Sequence, residues 1–449
     1  MCRIVWKSSK GKLFWTWIGI QTGSLILMVI SAFMLDIDLS WDWGALIHTA
    51  SEYVLTGGVD RPEYYATYPN NRFWAVCLIA FFRMVKVFIP DADAVTFKVA
   101  STALGIFLIQ ISLFLLYRTA CILFSERKAF LGGCAALLCA PLYVYSMFAY
   151  TDLSGMLAVS LFLYFYVKKS KTESAWWYQA LLGILAALLL EIKIMAFIVC
   201  IAAMIADFFR CVDWKRYVKG IMAAGLSCVA VCFMVESGIE KVIPVTEELS
   251  DACRFPPAHW IMMGLKGEGG YDQEDVDHTR SFPTYEKKKE SAEAVIKQRV
   301  EEFGFLGMTD HLIKKIKRTW GDGTLASSSY CNRKPFHSDG MLFQFFSEDG
   351  RHHWIMLIYT GLYHGILLLG ILLSGVWAWK KHDGEFAIGR ICIFGIVLFL
   401  LIWECNSRYL VVFFPVLLLT AAEGWFGMRD YWIKLQLQKR EKERRLVDE

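Results

Sequence analysis

Ten apolar runs, at 13–35, 95–117, 129–147, 151–167, 176–190, 194–209, 220–235, 354–379, 388–403 and 410–427, constrain this chain more than any other feature. Runs of that length and frequency do not fit a soluble globule, because a span of hydrocarbon needs about 20 apolar residues. Composition agrees: the 449 residues are 56% hydrophobic and 15% aromatic, with a mean hydropathy of +0.40. The expected fold class is therefore an all-α polytopic membrane protein. The basic N-terminus through Lys12 precedes an apolar run too long for a signal-peptide core and followed by no small-residue cleavage site, so this run is kept as a first span. Polar tracts are too rare for nucleic-acid binding. The thirteen cysteines include no CxxC, and most lie inside apolar runs as small hydrophobes.

Charge decides the two ambiguous segments. Residues 73–89 are apolar but carry Arg83 and Lys86, and 176–209 is interrupted at Glu191-Ile192-Lys193. With 73–89 lying on the membrane and 176–209 folded as a hairpin, Lys7/Lys10/Lys12, Arg118/Arg127/Lys128, Lys168/Lys169/Lys171, Arg210/Lys215/Arg216/Lys219, Lys380/Lys381/Arg390 and the tail from Arg429 share one side. That side is cytoplasmic by the positive-inside rule. A spanning 73–89 would place the next four of these loops outside, and would bury two charges at about 2.5–3.5 kcal/mol each. An interfacial helix lets both face headgroups.

The expectation is thus a bundle of about ten spans with both termini cytoplasmic, a transmembrane core over 1–235, and a first outer loop at 36–94 carrying interfacial helices. A large extracytoplasmic loop at 236–352 separates spans seven and eight, with helices near 285–303 and 309–320. C-terminal spans occupy 353–427, and a basic cytoplasmic tail 428–449. Cys253 and Cys331 both fall in the large loop, and their pairing is left open.

On this topology, polar residues from several segments collect at the outer face. Lys193 and Arg408 are the only Lys and Arg in the short outer turns. A cation there calls for an anion, either a lipid phosphate at headgroup level or a carboxylate one turn away, Glu191 or Glu404. Asp42, flanked by Trp41 and Trp43, opens an amphipathic run and reads as a helix cap or as a general base. Asp36 and Asp38 read as interface solvation. Asp152 starts the fourth span, where capping is the plain alternative to a site role. Tyr68-Pro69-Asn70-Asn71-Arg72 forms a turn ahead of the second amphipathic run, with amides able to donate to sugar or phosphate. His259-Trp260 offers an aromatic sugar platform, and Glu404 and Asn406 accompany Arg408.

These motifs, in this order, resemble the GT-C glycosyltransferases, and within them the protein O-mannosyltransferase and aminoarabinose-transferase-like group in its bacterial form. The elements that carry the likeness are Asp42 in the first outer loop, the Tyr68-Pro69 turn, Thr151-Asp152, the mid-hairpin Lys193, and Arg408-Tyr409-Leu410 followed by Pro415. The likeness covers most of 13–210 and recurs at 404–415. Tyr68-Pro69-Asn70-Asn71 and His259-Trp260-Ile261-Met262-Met263-Gly264 look like the variant of Gram-positive members. The group's Asp-Glu pair is Asp42-Trp43 here, and its Lys/His-Pro-Pro turn is Tyr68-Pro69-Asn70.

The resemblance implies a polyprenyl-phosphate sugar donor and a glycan, lipid or protein acceptor. It implies Asp42 as catalytic carboxylate, Lys193 and Arg408 as phosphate cations, Asp152 at the outer start of its span, and no metal or cofactor; Arg72 is a further phosphate-binding candidate from its place in the turn. Competing classes are a lipid-linked-sugar transporter, a non-catalytic assembly partner, and a polymerase or ligase using a pyrophosphate-linked glycan.

Overall fold

The computed structural model describes residues 10–170, 176–381 and 386–448, and among them the regular elements are helices, joined by one isolated bridge between Ile37 and Pro335. Lys7 and Lys171 of the basic pattern lie outside the described residues. Among the described residues, four helices are long and apolar enough to cross a membrane: Gly11–Leu35, Ala94–Leu123, Trp214–Val242 and His353–Ala378. Trp177–Ile192, Ile194–Phe209 and Ala387–Ile402 are shorter and apolar. Trp214–Val242 shows why a bilayer is needed. Leu226, Val229 and Phe233 are 70%, 69% and 75% exposed, an apolar stripe that belongs against hydrocarbon rather than water.

Two expected spans take a different form. The 129–147 run is not one helix but two, Glu126–Leu137 and Pro141–Tyr145. Pro141 has no N–H to continue a ladder and sits instead in the first turn of the second piece. The 220–235 run begins earlier and ends later, as Trp214–Val242. Asp213 caps its start by accepting from the Lys215 and Arg216 amides, and the extra turns carry Glu236 and Glu240 beyond the apolar stretch. The last helix, Phe414–Asp448, runs unbroken through the boundary expected near residue 428.

The break at Glu191-Ile192-Lys193 is present. Lys193 is extended (φ −164°, ψ 108°) between Trp176–Ile192 and the 3-10 turn Ile194–Phe197. The two arms then find different neighbours: the first packs on Thr151–Ser170 and Trp214–Val242, the second on Ala387–Ile402.

The first outer segment is a helical layer. Trp41–Thr56 ends at Gly57, whose φ of +88° reverses the chain. Pro62–Thr67 and the 3-10 turn Pro69–Asn71 lead into Arg72–Phe88. That helix is amphipathic as expected: Trp74, Ala75, Leu78, Ile79 and Phe82 are buried at helical spacing, while Arg83, Val87 and Phe88 are exposed.

The large loop is a packed helical unit. Its long helix, Tyr285–Trp320, bends at Gly304 (φ 55°, ψ −167°), between the two helices read from the sequence. Asp275 and Arg299 form a two-pronged ion pair with both contacts at 2.7 Å. Among the contacts that fasten the unit to the rest are two backbone-centred ones. The Phe336 amide donates to the Asp36 carbonyl and the Asp38 amide to the Lys334 carbonyl, each at 2.9 Å. Buried Lys315 donates to the Gly264 carbonyl at 2.9 Å and to the Trp403 carbonyl at 2.7 Å. Cys253 and Cys331 are both free thiols.

The second fastening requires a glycine. A Cβ at Gly264 would sit 2.9 Å from the Trp403 carbonyl carbon and oxygen, backbone that cannot rotate aside. Gly264→Ala is expected to destabilise the protein by about 1–3 kcal/mol through overpacking. A lowered midpoint of thermal unfolding of the purified protein checks this; an unchanged midpoint removes the close-contact argument.

Candidate active site

Asp42 lies in the first turn of Trp41–Thr56, but its carboxylate does not cap that helix. It turns toward two phenols. Tyr64 donates to Oδ1 at 2.9 Å and Tyr150 reaches Oδ2 at 3.3 Å. Asn71 braces the pair, its Nδ2 donating to the Tyr64 hydroxyl at 2.7 Å and its Oδ1 standing 3.3 Å from the Tyr150 hydroxyl. Burial first, and then the charge of Asp42, push both phenols well above the ordinary tyrosine range, so they remain donors. Asp42 itself is only half-buried. A carboxylate has about four lone-pair sites, so two phenols leave it able to accept a further proton.

The residue before it is strained. Trp41 has φ +45°, a left-handed value rare for a bulky side chain. Such strain costs about 1–3 kcal/mol and persists only where the surroundings enforce it. Here the indole is held by Tyr150 at 4.9 Å, Tyr330 at 4.8 Å and Phe148 at 5.8 Å between ring centroids. The strained backbone aims the indole one way and the Asp42 carboxylate another.

Above the indole lies Arg408. Its guanidinium carbon is 5.1 Å from the Trp41 ring, 5.1 Å from Tyr330, and 5.6 Å from both Tyr150 and Tyr409. Four rings replace part of the lost hydration of this buried cation. Its Nε is buried without a hydrogen-bond partner and lies 3.6 Å from Asp152 Oδ2. The other Asp152 oxygen accepts from the Lys193 ammonium, which also stands 4.8 Å from the Tyr409 ring. Asp152 is buried in the first turn of Thr151–Ser170, where the helix end favours a negative charge.

Two cations thus share one carboxylate directly. Glu404 stands nearby, accepting from the Tyr409 hydroxyl. Burial raises its pKa, against the Tyr409 hydrogen bond and the Arg408 and Lys193 charges, which lower it.

The structure gathers Asp42, Asn71, Asp152, Lys193, Glu404 and Arg408 into one continuous arrangement. The ion pairs differ from the local ones expected: Lys193 and Arg408 meet Asp152 rather than Glu191 and Glu404. Tyr68 is half-buried, with its ring 5.3 Å from Tyr64 and 6.3 Å from Trp260, and Asn70 is exposed beside Asn71. Asn406 spends its side-chain oxygen on the Arg408 amide, at 2.9 Å, as the cap of the 3-10 turn Ser407–Val411.

Arg72 is drawn away from the arrangement. It is buried against Glu236 at 3.1 Å, Glu240 at 2.7 Å and the Ile243 carbonyl at 2.8 Å, so two carboxylates already answer its charge. Asp36 pairs with Lys98 at 2.8 Å. The residues that sequence reasoning did not single out are Tyr64, Tyr150 and Tyr330, whose partners Asp42 and Trp41 lie far from them along the chain.

His259 departs from the expected platform. It is fully buried, with Nδ1 2.7 Å from the Thr279 hydroxyl and Phe255 against its ring, so it presents no face to a ligand. Trp260 remains half-buried and stacks on Trp403 at 6.5 Å. Burial pushes His259 down to about 4 from 6.5. The folded state then binds fewer protons than the unfolded chain below pH 6.5. Stability is complete above that pH and is lost as pH falls from about 6.5 to 4, by about 3 kcal/mol from this group. Thermal unfolding of wild type and His259→Leu across that window checks it: the gap between them should narrow or reverse toward acid pH, and a constant gap contradicts it.

Helices that expose broad apolar faces, with charged groups gathered among the connections between them, define an integral membrane protein of all-α architecture. The chain belongs to the family of conserved hypothetical integral membrane proteins, whose model matches residues 4–426. No curated protein matches it.

Among solved structures, it is similar to the archaeal oligosaccharyltransferase AglB from Archaeoglobus fulgidus in complex with an inhibitory peptide and a dolichol-phosphate, at 12% identity and a TM-score of 0.44, over 94% of this chain and 51% of that one. It is also similar to the Archaeoglobus fulgidus oligosaccharyltransferase tethered to an acceptor peptide, at 13% identity and 0.45, over 93% and 50%. The apo form of that enzyme gives 14% and 0.43, over 93% and 52%. The chain spans about half the length of these structures.

Proposed function

We propose that the protein is a membrane glycosyltransferase that moves a sugar from a polyprenyl-phosphate donor to an acceptor hydroxyl at the outer face of the membrane. The acceptor is a cell-surface glycan, teichoic acid, lipid or protein. The observation that carries this reading is Arg408: its side chain is 11% exposed, its Nε has no hydrogen-bond partner and meets Asp152 only at 3.6 Å, and it stands beside Lys193 and one aromatic layer from the half-buried Asp42. A cation so placed, with donors left over after one distant carboxylate, can take a further anion. The resemblance of the Asp42, Asp152, Lys193 and Arg408 motifs to the GT-C group supports the same reading.

In this mechanism the acceptor hydroxyl attacks the anomeric carbon as the bond from that carbon to the phosphate oxygen breaks. Asp42 takes the hydroxyl proton, and the lipid phosphate leaves with the bonding electrons. Lys193 and Arg408 stabilise the charge that grows on it, where exclusion of water makes such terms large. One displacement inverts the anomeric carbon, and no cofactor is invoked. Asn71, with Tyr64 and Tyr150, orients the base; Tyr68, Asn70 and Trp260 lie toward the acceptor, and Glu404 and Asn406 position the Arg408 turn.

The proposed setting has ten spans, both termini in the cytoplasm, and the Arg72–Phe88 helix lying on the outer surface with the 236–352 unit above it.

Purified protein supplied with a polyprenyl-monophosphate sugar should release polyprenyl phosphate in step with glycosylated product. Turnover confined to a pyrophosphate-linked glycan would assign a polymerase or ligase instead, and movement of the intact lipid-linked sugar without bond cleavage would assign a transporter.

A further inference from the structure

A cavity of about 370 Å³ opens beside Tyr64, between the first outer segment and the 236–352 unit. Its walls include Glu63, Tyr64 and Tyr68 from one side and Cys253, Arg280 and Lys288 from the other. Tyr64 belongs to both environments: it lines the cavity and its hydroxyl donates to Asp42 at 2.9 Å. Tyr68 also feels the Asp42 charge, and its hydroxyl lies within reach of Arg280. We propose that this cavity is the acceptor subsite of the transferase and that it takes a carbohydrate chain; the assignment rests on the function proposed above.

The lining is what a sugar needs. Aromatic faces carry negative potential, which attracts the polarised C–H groups of a pyranose. Around the two tyrosines stand an exposed carboxylate, Glu63, an exposed guanidinium, Arg280, and a buried ammonium, Lys288. Lys288 spends a donor on the Ala252 carbonyl, and an ammonium has three, so two remain for ligand hydroxyls. Opposite charges on the two walls do not select a polyanion. They supply acceptors and donors together, as a polyol requires.

A peptide fits less well. The elements meeting here are the helices Pro62–Thr67, Glu247–Cys253, Gln273–Arg280 and Tyr285–Trp320, which offer no strand edge for an extended chain to join. The volume lies at the small end of the usual range of about 300–1,000 Å³ for ligand pockets, enough for the terminal units of a glycan.

The test uses full-length protein in detergent and needs no donor. Wild type and Ala252→Trp, which fills the cavity from an exposed wall position, are applied to an array of neutral and phosphate-bearing oligosaccharides and to a hydroxyl-rich peptide array. Wild type should retain oligosaccharides, and Ala252→Trp should lose at least tenfold in apparent affinity. On the wild-type protein, a bulky maleimide at Cys253, mapped by mass spectrometry, should have the same effect, which guards against misfolding of the variant. Retention of no oligosaccharide, equal retention by wild type and both blocked forms, or retention of peptides alone overturns the proposal. Failure here with an active donor assay removes the subsite and leaves the transferase standing, whereas glycan binding without donor cleavage removes the transferase.

Discussion

Asp42→Asn is expected to lower the rate of the proposed sugar transfer by about 10²–10⁴-fold, the contribution of a positioned general base. The substitution is nearly isosteric, and one amide oxygen remains to accept from Tyr64 at the position Oδ1 holds now. The amide has no basic lone pair, so the acceptor hydroxyl must attack with its proton in place. Lys193 and Arg408 are untouched, so donor affinity should hold while turnover falls. Single-turnover transfer, run beside thermal unfolding of the same sample, separates a chemical loss from a folding loss. A folded Asp42→Asn protein with full activity would end the general-base assignment.

Asp152→Asn is expected to be the most damaging single change to the site's stability. Asp152 is 1% exposed and is the carboxylate that Lys193 and Arg408 share. Removing its charge strands two largely enclosed cations, with side chains 14% and 11% exposed, and breaking a buried pair in this way costs about 3–5 kcal/mol. The loss should be partly reversed by ligand: a polyprenyl monophosphate supplies the missing negative charge, so its stabilising effect should be larger in Asp152→Asn than in wild type. Heat-induced unfolding with and without that lipid measures both terms. Equal stability of the two proteins, or an equal lipid effect on each, contradicts the shared-counter-ion arrangement.

How far the sequence reached follows from which interactions are local. Hydropathy found helices because a hydrocarbon-facing run has to be continuous, and the extended break at Lys193 was visible as a charged interruption. Pro141 split a run that hydropathy alone had joined. The Asp42 carboxylate stood out because it opens an amphipathic run between two tryptophans. Its phenol partners did not, since Tyr64 and Tyr150 lie 22 and 108 residues away.

The pairing of Lys193 with Asp152 spans 41 residues and displaced the nearer Glu191. Arg72 misled for the same reason: a cation beside a turn looks free until a helix 164 to 168 residues later brings Glu236 and Glu240 to it. His259 carried a recognisable neighbour in Trp260, but nothing in that dipeptide reveals that the imidazole is enclosed by Phe255 and Thr279.

The most direct test of the account is the dependence of transfer on polyprenyl-monophosphate donor concentration in wild type, Lys193→Ala and Arg408→Ala. If the two cations hold the lipid phosphate, each substitution removes a charge-assisted contact of about 1.5–3 kcal/mol, and the donor KM should rise by about 10–100-fold. A donor KM unchanged in both variants would contradict the assignment of this cluster as the phosphate site.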